Sequence, residues 1–152
     1  MAREIVDACF KVHKALGPGI LESVYETCRA YELTKRGLKV SRQVMVPIVY
    51  DGQELDNALR LDLMVEDIVI VEVKAVEKML PLFEAQTLTY LKLTGKRLAL
   101  MVNFNVPLIK DGTKRWRAFF SAWGEPGAEP AVTVTACFWQ LTTSGCCRLQ
   151  PC

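Results

Sequence analysis

Residues 59–74 read LRLDLMVEDIVIVEVK, and this stretch decides the fold. Apolar residues alternate with other residues up to position 65, which is typical of a β-strand with one buried face. That face carries Leu59, Leu61, Leu63 and Val65. Asp62 points the other way, and the apolar strand that follows ends in Glu72 and Lys74, which share a face because they are two residues apart. The stretch therefore predicts two adjacent strands with charges where a sheet is normally apolar.

The loop between these two strands decides whether their charges meet. A three-residue loop over 66–68 places Asp62 directly opposite Glu72, with both side chains on one face. A two-residue loop instead pairs Asp62 with Val71 and turns Glu72 to the other face. A shared site therefore requires the three-residue loop or a bulge. The alternative is a pair of separate surface carboxylates, with Glu72 in a solvated ion pair with Lys74.

Helical periodicity lies on both sides of this stretch. The predicted elements are helices over 5–16, 20–36 and 81–94 and strands over 44–50, 59–65, 68–74 and 98–102. Gly-Pro-Gly at 17–19 separates the first two helices, and Asp51-Gly52 forms a turn after the first strand. The order α-α-β-β-β-α-β predicts an α/β protein with a mixed sheet flanked by helices.

Length and charge exclude several classes of protein. The chain has 152 residues, of which 24% are charged and 51% hydrophobic, enough for one compact domain. A net charge of +2 is too small for a whole surface that binds nucleic acid or an anionic membrane. The apolar runs fall far short of the ~20 residues of a membrane helix. Acidic residues near the N-terminus are unlike a signal peptide, so we expect a cytoplasmic protein.

The composition changes near Arg117. Residues 118–152 contain one basic and two acidic residues, and they hold four of the six cysteines: Cys137, Cys146, Cys147 and Cys152. The stretch 131–141 has strand-like composition, and no Cys-x-x-Cys spacing occurs that would suit a zinc site. We predict a domain over 1–117 and a Cys-rich C-terminal extension of unknown role over 118–152. Zinc binding or assembly through the tail cysteines is the alternative.

The charges of residues 59–74 suggest a definite chemistry. Asp62 and Glu72, if they meet, supply the oxygen ligands that Mg²⁺ prefers. A metal there would activate water and stabilise charge that develops on a phosphate. Lys74 would orient the water or help to deprotonate it, or stabilise the transition state.

Five segments carry a resemblance to a known family. In chain order they are GPGILESVYE (17–26), LDLMV (61–65), VEVKAV (71–76), EAQ-x3-YL (84–91) and LMVNF (100–104). This ordered set resembles the GxxExxR (GxxExxY) protein family, which belongs to the PD-(D/E)XK nuclease superfamily. The resemblance covers roughly residues 4–115 and does not reach the tail. It implies a restriction-endonuclease-like core.

The resemblance assigns roles to single residues. It implies that Asp62 is the signature Asp and that Glu72 and Lys74 are the (D/E)XK, with Mg²⁺ or Mn²⁺ held by the carboxylates and water assisted by the lysine. Glu22 resembles the extra acidic residue that many members place near the metal. The remaining pair, Gln86 and Tyr90, resembles the Gln-x-x-x-Tyr motif of the recombination-exonuclease branch, which helps to hold DNA. Leu61 stands where the superfamily name has a proline.

The expected function is hydrolysis of phosphodiester bonds in DNA by a divalent-metal-dependent nuclease. DNA is expected as partner ahead of RNA, no membrane is expected, and a homodimer is one option. The alternative is a catalytically inactive nucleic-acid-binding or protein-interaction module with a nuclease-like fold. Paired carboxylates argue against that alternative, because they repel phosphate unless a cation lies between them.

Overall fold

The computed structural model of the chain describes residues 1–120 and 132–137. Three helices and six strands occur within those ranges. Their bounds in chain order are α1 Ala2–Leu16, α2 Glu22–Lys35, β1 Val40–Tyr50, β2 Gln53–Val65, β3 Val69–Lys74, α3 Pro81–Thr94, β4 Leu98–Asn103, β5 Thr113–Phe120 and β6 Val132–Cys137. The predicted α/β class and the predicted order of the first seven elements are confirmed.

The last two strands extend the sheet beyond β4. The sequence pattern does not predict β5, because Lys114, Arg115 and Arg117 interrupt its apolar residues. The other strand, β6, lies in the stretch with strand-like composition and pairs antiparallel with β5. The strand β5 runs across the predicted boundary between residues 117 and 118. A separate extension over 118–152 stays a prediction, because most of that stretch lies outside the described residues. Cys146, Cys147 and Cys152 lie outside the described residues, as does any zinc site built from them.

Local sequence sets the helix ends. The buried residues of α1 are Ile5, Ala8, Cys9 and Val12, which recur at helical spacing, and the helix ends at Gly17 with φ 70°. Pro81 begins α3, where its missing N–H costs nothing, and Gly95 ends that helix in the left-handed conformation. Within the described ranges, no helix is both long and apolar enough to cross a membrane.

The six strands lie side by side in the order of the chain. Only the pairing of β3 with β4 is parallel in this part of the molecule, and α3 makes the crossover between them. All the other neighbours pair antiparallel. The carboxyl ends of β3 and β4 therefore meet at one edge of the sheet, where Lys74 is the register partner of Asn103.

Helices cover both faces of the sheet and create two apolar layers. Side chains of α1 and α2 pack on Leu63, Val65, Val69, Val71 and Val73. On the opposite face, α3 contributes Tyr90 and Leu91 to a cluster with Leu61, Met64, Ile70, Ala99 and Met101. Full burial of one such aliphatic side chain contributes about 1.5–3 kcal/mol, so both layers hold the sheet between the helices.

The faces of β2 differ from the predicted alternation. Leu63 and Val65 pack with α1 and α2, but Leu61 and Leu59 belong to the layer under α3. The prediction that all four leucine and valine side chains share one face is therefore wrong. The change of face coincides with Gln43 in the neighbouring strand, which has a left-handed φ of 51° and lies between the pairs Arg42↔Leu63 and Val44↔Leu61.

Candidate active site

The loop between β2 and β3 has the three residues that a shared site requires. Val65 pairs with Val69, and residues 66–68 form the turn. Both Glu66 and Asp67 have positive φ, and Ile68 donates its N–H to the carbonyl of Val65. This register brings Asp62 opposite Glu72, one position beyond the last backbone pair of the hairpin.

The backbone pairing of β2 with β3 ends just before the charged residues. Leu63↔Val71 is the last pair, and the Val73 N–H then donates to Oδ2 of Asp62 at 2.8 Å. A carboxylate side chain thus takes a backbone hydrogen bond of β3, which fixes Asp62 beside that strand. The regular backbone pairing of β2 with β3 therefore stops at Asp62 and Glu72.

Glu72 is a buried carboxylate with a lysine beside it. Its side chain is 3% exposed, and Oε2 lies 3.6 Å from Nζ of Lys74. The second oxygen, Oε1, is buried and has no hydrogen-bond partner among the described residues. A buried anionic oxygen without a partner is costly. The oxygen is therefore available to a cation or a proton.

The two carboxyl groups disfavour each other's charge. Burial and, after it, the charge of Asp62 raise the pKa of Glu72 from 4.5 to about 7, against the Lys74 ammonium, which lowers it. Burial also raises the pKa of Asp62, against the Val73 N–H and Lys74, which lower it. Glu26 and Glu22 act in the same direction as burial on Asp62. An added positive charge at this place would relieve the repulsion.

Lys74 has contacts at its side-chain ammonium and at its backbone carbonyl. Its ammonium lies 5.5 Å from the centre of the Phe83 ring, a distance at which a cation is attracted to the ring face. Its carbonyl accepts the N–H of Phe104 at 2.7 Å. The loop after Lys74 is fixed as well, because the Asn103 amide both donates to and accepts from the backbone of Val76.

Gln86 and Tyr90 reach the same site from α3. The amide of Gln86 donates to the Tyr90 hydroxyl at 2.6 Å, and that hydroxyl donates to the carbonyl of Arg60 at 3.2 Å. That bond places the hydroxyl beside β2, two residues before Asp62, and burial together with the charges of Glu72 and Asp62 raises the pKa of Tyr90. The structure thus brings these two predicted residues together with the charged group.

Glu22 lies at the margin of the site. It is exposed at the start of α2, and its Oε1 accepts the N–H of Ala75 at 2.9 Å. A groove of about 560 Å³ passes beside it, lined by residues 19–23, Ala75 and Asn105. Through residues 1–120 and 132–137, no three acidic, histidine or cysteine side chains are close enough to hold a metal between them. Glu22 as a metal ligand therefore stays a prediction.

The pattern analysis missed Glu26, which the structure places next to the site. Glu26 is buried on α2, one turn after Glu22, and its charge raises the pKa of Asp62. The signal was present in the sequence, since residues four apart lie on the same face of a helix. A glutamate in a helix is usually solvated, so the spacing alone did not single it out.

The donor groups fit a divalent cation of the Mg²⁺ type. Two carboxylates supply oxygen ligands, one of them with a buried oxygen that lacks a partner in the described part of the chain. Mg²⁺ commonly takes one or two carboxylates and keeps several waters, so a cage of three protein ligands is not required. The repulsion between Asp62 and Glu72 gives such an ion an electrostatic reason to bind.

Fold and site together define an α/β protein with a carboxylate–lysine cluster at the end of a central strand. Residues 1–116 match the PD-(D/E)XK nuclease superfamily, and the chain therefore belongs to that superfamily. A comparison with curated proteins gave no match, and a comparison with solved structures gave none either. The restriction-endonuclease-like fold that the sequence implies is confirmed by the superfamily match and by the mixed sheet with its flanking helices.

Proposed function

We propose that the protein is a divalent-metal-dependent nuclease that hydrolyses phosphodiester bonds of DNA. The observation that carries the proposal is the Asp62–Glu72–Lys74 cluster, in which two carboxyl groups with raised pKa values share one lysine. Perturbed carboxyl pairs of this kind are concentrated at functional sites. Membership of a nuclease superfamily supports the same conclusion.

Asp62 and Glu72 are the residues proposed to hold Mg²⁺ or Mn²⁺, with Glu22 at the margin. The chemistry that the ion supplies when bound is activation of water and neutralisation of charge on the phosphate. Asp62 is pre-positioned for this by its bond to the Val73 N–H. Glu72 brings the buried oxygen that has no partner in the described residues.

Lys74 is the proposed water-directing residue. Its side chain is 13% exposed and bends towards Glu72 and the face of Phe83, so its ammonium has little freedom to move. A confined ammonium can orient a water molecule and stabilise negative charge in the transition state. Gln86 and Tyr90, bonded to each other on α3, are the proposed contacts to the sugar-phosphate chain.

DNA is the proposed substrate ahead of RNA, because the Gln86 and Tyr90 pair resembles a motif that holds DNA in exonucleases of recombination. A homodimer in which each subunit cuts one strand is the assembly proposed for a double-stranded substrate. A cytoplasmic location belongs to the same proposal.

The test is cleavage of end-labelled single-stranded DNA, double-stranded DNA and RNA in Mg²⁺, Mn²⁺ or EDTA. The variants are Asp62→Asn, Glu72→Gln and Lys74→Met, which keep side-chain size and remove charge. We expect metal-dependent cleavage of DNA that falls by at least about 100-fold in each variant. The matched control is Glu77→Gln, at an exposed glutamate after β3, which should cleave like the native chain.

Two results would overturn the proposal. Cleavage that survives EDTA and all three variants would come from another site or a contaminant. Binding of DNA without cleavage in any metal, unchanged in the variants, would establish the inactive binding module instead. Preference for RNA over DNA would correct the substrate and leave the chemistry in place.

A further inference from the structure

Directly opposite Asp62 in the sheet stands a residue in an unusual conformation. Gln43 of β1 has φ 51°, in the left-handed region that residues other than glycine seldom adopt. The pairs Arg42↔Leu63 and Val44↔Leu61 continue on either side of it, so Gln43 faces Asp62. Surrounding contacts must hold such a residue in place, and residues of this kind are concentrated at functional sites.

The contact that holds Gln43 comes from α2. Its side-chain amide donates a short hydrogen bond to Oε2 of Glu26. Oε1 of Glu26 accepts from Nε of Arg42 at 2.9 Å, so both carboxylate oxygens are occupied. Arg42 also donates to the Thr27 hydroxyl. Glu26 is 6% exposed, and a buried carboxylate with two donors is a firm anchor.

The distortion at Gln43 coincides with the change of face in β2. Leu61 lies in the layer under α3, Leu63 lies in the layer under α1 and α2, and Asp62 falls between them. At the same position Asp62 leaves the backbone pairing and takes the Val73 N–H with its side chain. A regular β1 would favour regular alternation in β2 and a different direction for Asp62.

We propose that Glu26 and Gln43 are positioning residues, which keep β1 bent and so direct the Asp62 carboxylate towards Glu72. This inference rests on the proposed function, because the position of Asp62 matters through the metal that it holds. Glu26 is not itself a ligand, since its two oxygens are taken by Arg42 and Gln43. The bond between Glu26 and Gln43 acts on the site through the backbone of β1.

The experiment measures Mn²⁺ affinity by calorimetry on the full chain without DNA. Gln43→Ala keeps the β-carbon but removes the amide, so no side-chain bond then holds the residue in its left-handed conformation, and Glu26→Ala removes the acceptor of that bond. We expect each to weaken Mn²⁺ binding by about 10-fold or more, as is usual when a group that orients a metal ligand is lost. Because the two residues act as one unit, the double variant should lose little more than either single variant.

Three comparisons separate positioning from a general loss of structure. Asp51→Ala places alanine at another left-handed position, φ 50°, in the exposed turn after β1, and should leave Mn²⁺ affinity unchanged. Gln43→Gly loses the hydrogen bond and also the β-carbon, so its backbone tolerates the left-handed conformation without the bond, and its affinity should lie between those of the native chain and Gln43→Ala. Excess Mn²⁺ should restore cleavage in both Gln43 variants. The substitutions weaken metal binding but leave the side chains of the site in place, so kcat at saturating metal should be native.

Each remaining outcome has a definite meaning. Native affinity in Gln43→Ala and Glu26→Ala, together with weak binding in Asp62→Asn, would overturn the positioning proposal and leave the nuclease proposal intact. A native chain that binds no Mn²⁺ would overturn both proposals. If Gln43→Ala fails to fold, Gln43→Gly and Asp51→Ala still decide the question, since native affinity in Gln43→Gly would contradict a role for the bond.

Discussion

The two faces of β3 differ sharply. Towards α1 and α2 the strand presents Val69, Val71 and Val73, all buried in an unbroken apolar layer. Towards α3 it presents Ile70 and then the charged pair Glu72 and Lys74. One face thus contributes apolar packing, whereas the end of the other face carries charged side chains instead of apolar ones. The comparison teaches that stability and chemistry are divided between the faces of a single strand, so each can be changed with little effect on the other.

The largest effect on stability is expected from the apolar face. Leu100 of β4 is fully buried in the layer beside β3, and Leu100→Ala should lower the free energy of unfolding by about 2–5 kcal/mol. Urea denaturation measures this loss. Cleavage per folded molecule should stay within a few-fold of native, since no side chain of the site is changed. If cleavage per folded molecule fell by more than 100-fold, the two faces would not be independent.

A smaller effect with the opposite sign is expected from the charged face. The pKa of Glu72 is raised to about 7, so its contribution to stability is complete below about pH 4.5 and is lost as pH rises through about 7. In EDTA the difference in unfolding free energy between the native chain and Glu72→Gln should change by up to about 3 kcal/mol over this range. Glu72→Gln should be the more stable protein at pH 8. A constant difference would contradict the raised pKa.

The smallest effect is expected where the charged pair touches α3. Phe83→Leu keeps apolar volume and removes the ring face below the Lys74 ammonium. The lost attraction is about 0.5–1 kcal/mol, which corresponds to a few-fold decrease in cleavage rate. Leu82→Ala, at an exposed neighbour in α3, is the control and should cleave at the native rate. Equal rates for Phe83→Leu and the native chain would show that the ring does not hold the lysine.

Much of this arrangement follows from local sequence. Alternation and helical stripes predict the first seven elements, and the three-residue loop that brings Asp62 opposite Glu72 is one of two registers that the sequence allows. The change of face at Leu61 could not be predicted. It coincides with the left-handed Gln43, whose side chain bonds to Glu26 in another element.

Two further features could not be predicted from sequence patterns, and the reasons are physical. Three cations interrupt the apolar residues of β5, so its own composition does not predict a strand. It forms a strand because β4 lies alongside and pairs with it. Asn103 looks like the end of a buried strand, yet its amide fixes the backbone at Val76 and so the path of the chain after Lys74. Both depend on which element lies alongside, and that information is not local.

The bond between Glu26 and Gln43 also bears on the order in which the protein folds. The two residues are 17 positions apart, so the entropy lost in closing the loop between them is small. During synthesis α2 and β1 leave the ribosome before Asp62 does, since chains emerge from the N-terminus. We expect the bend in β1 to be formed early and to act as a template when β2 arrives.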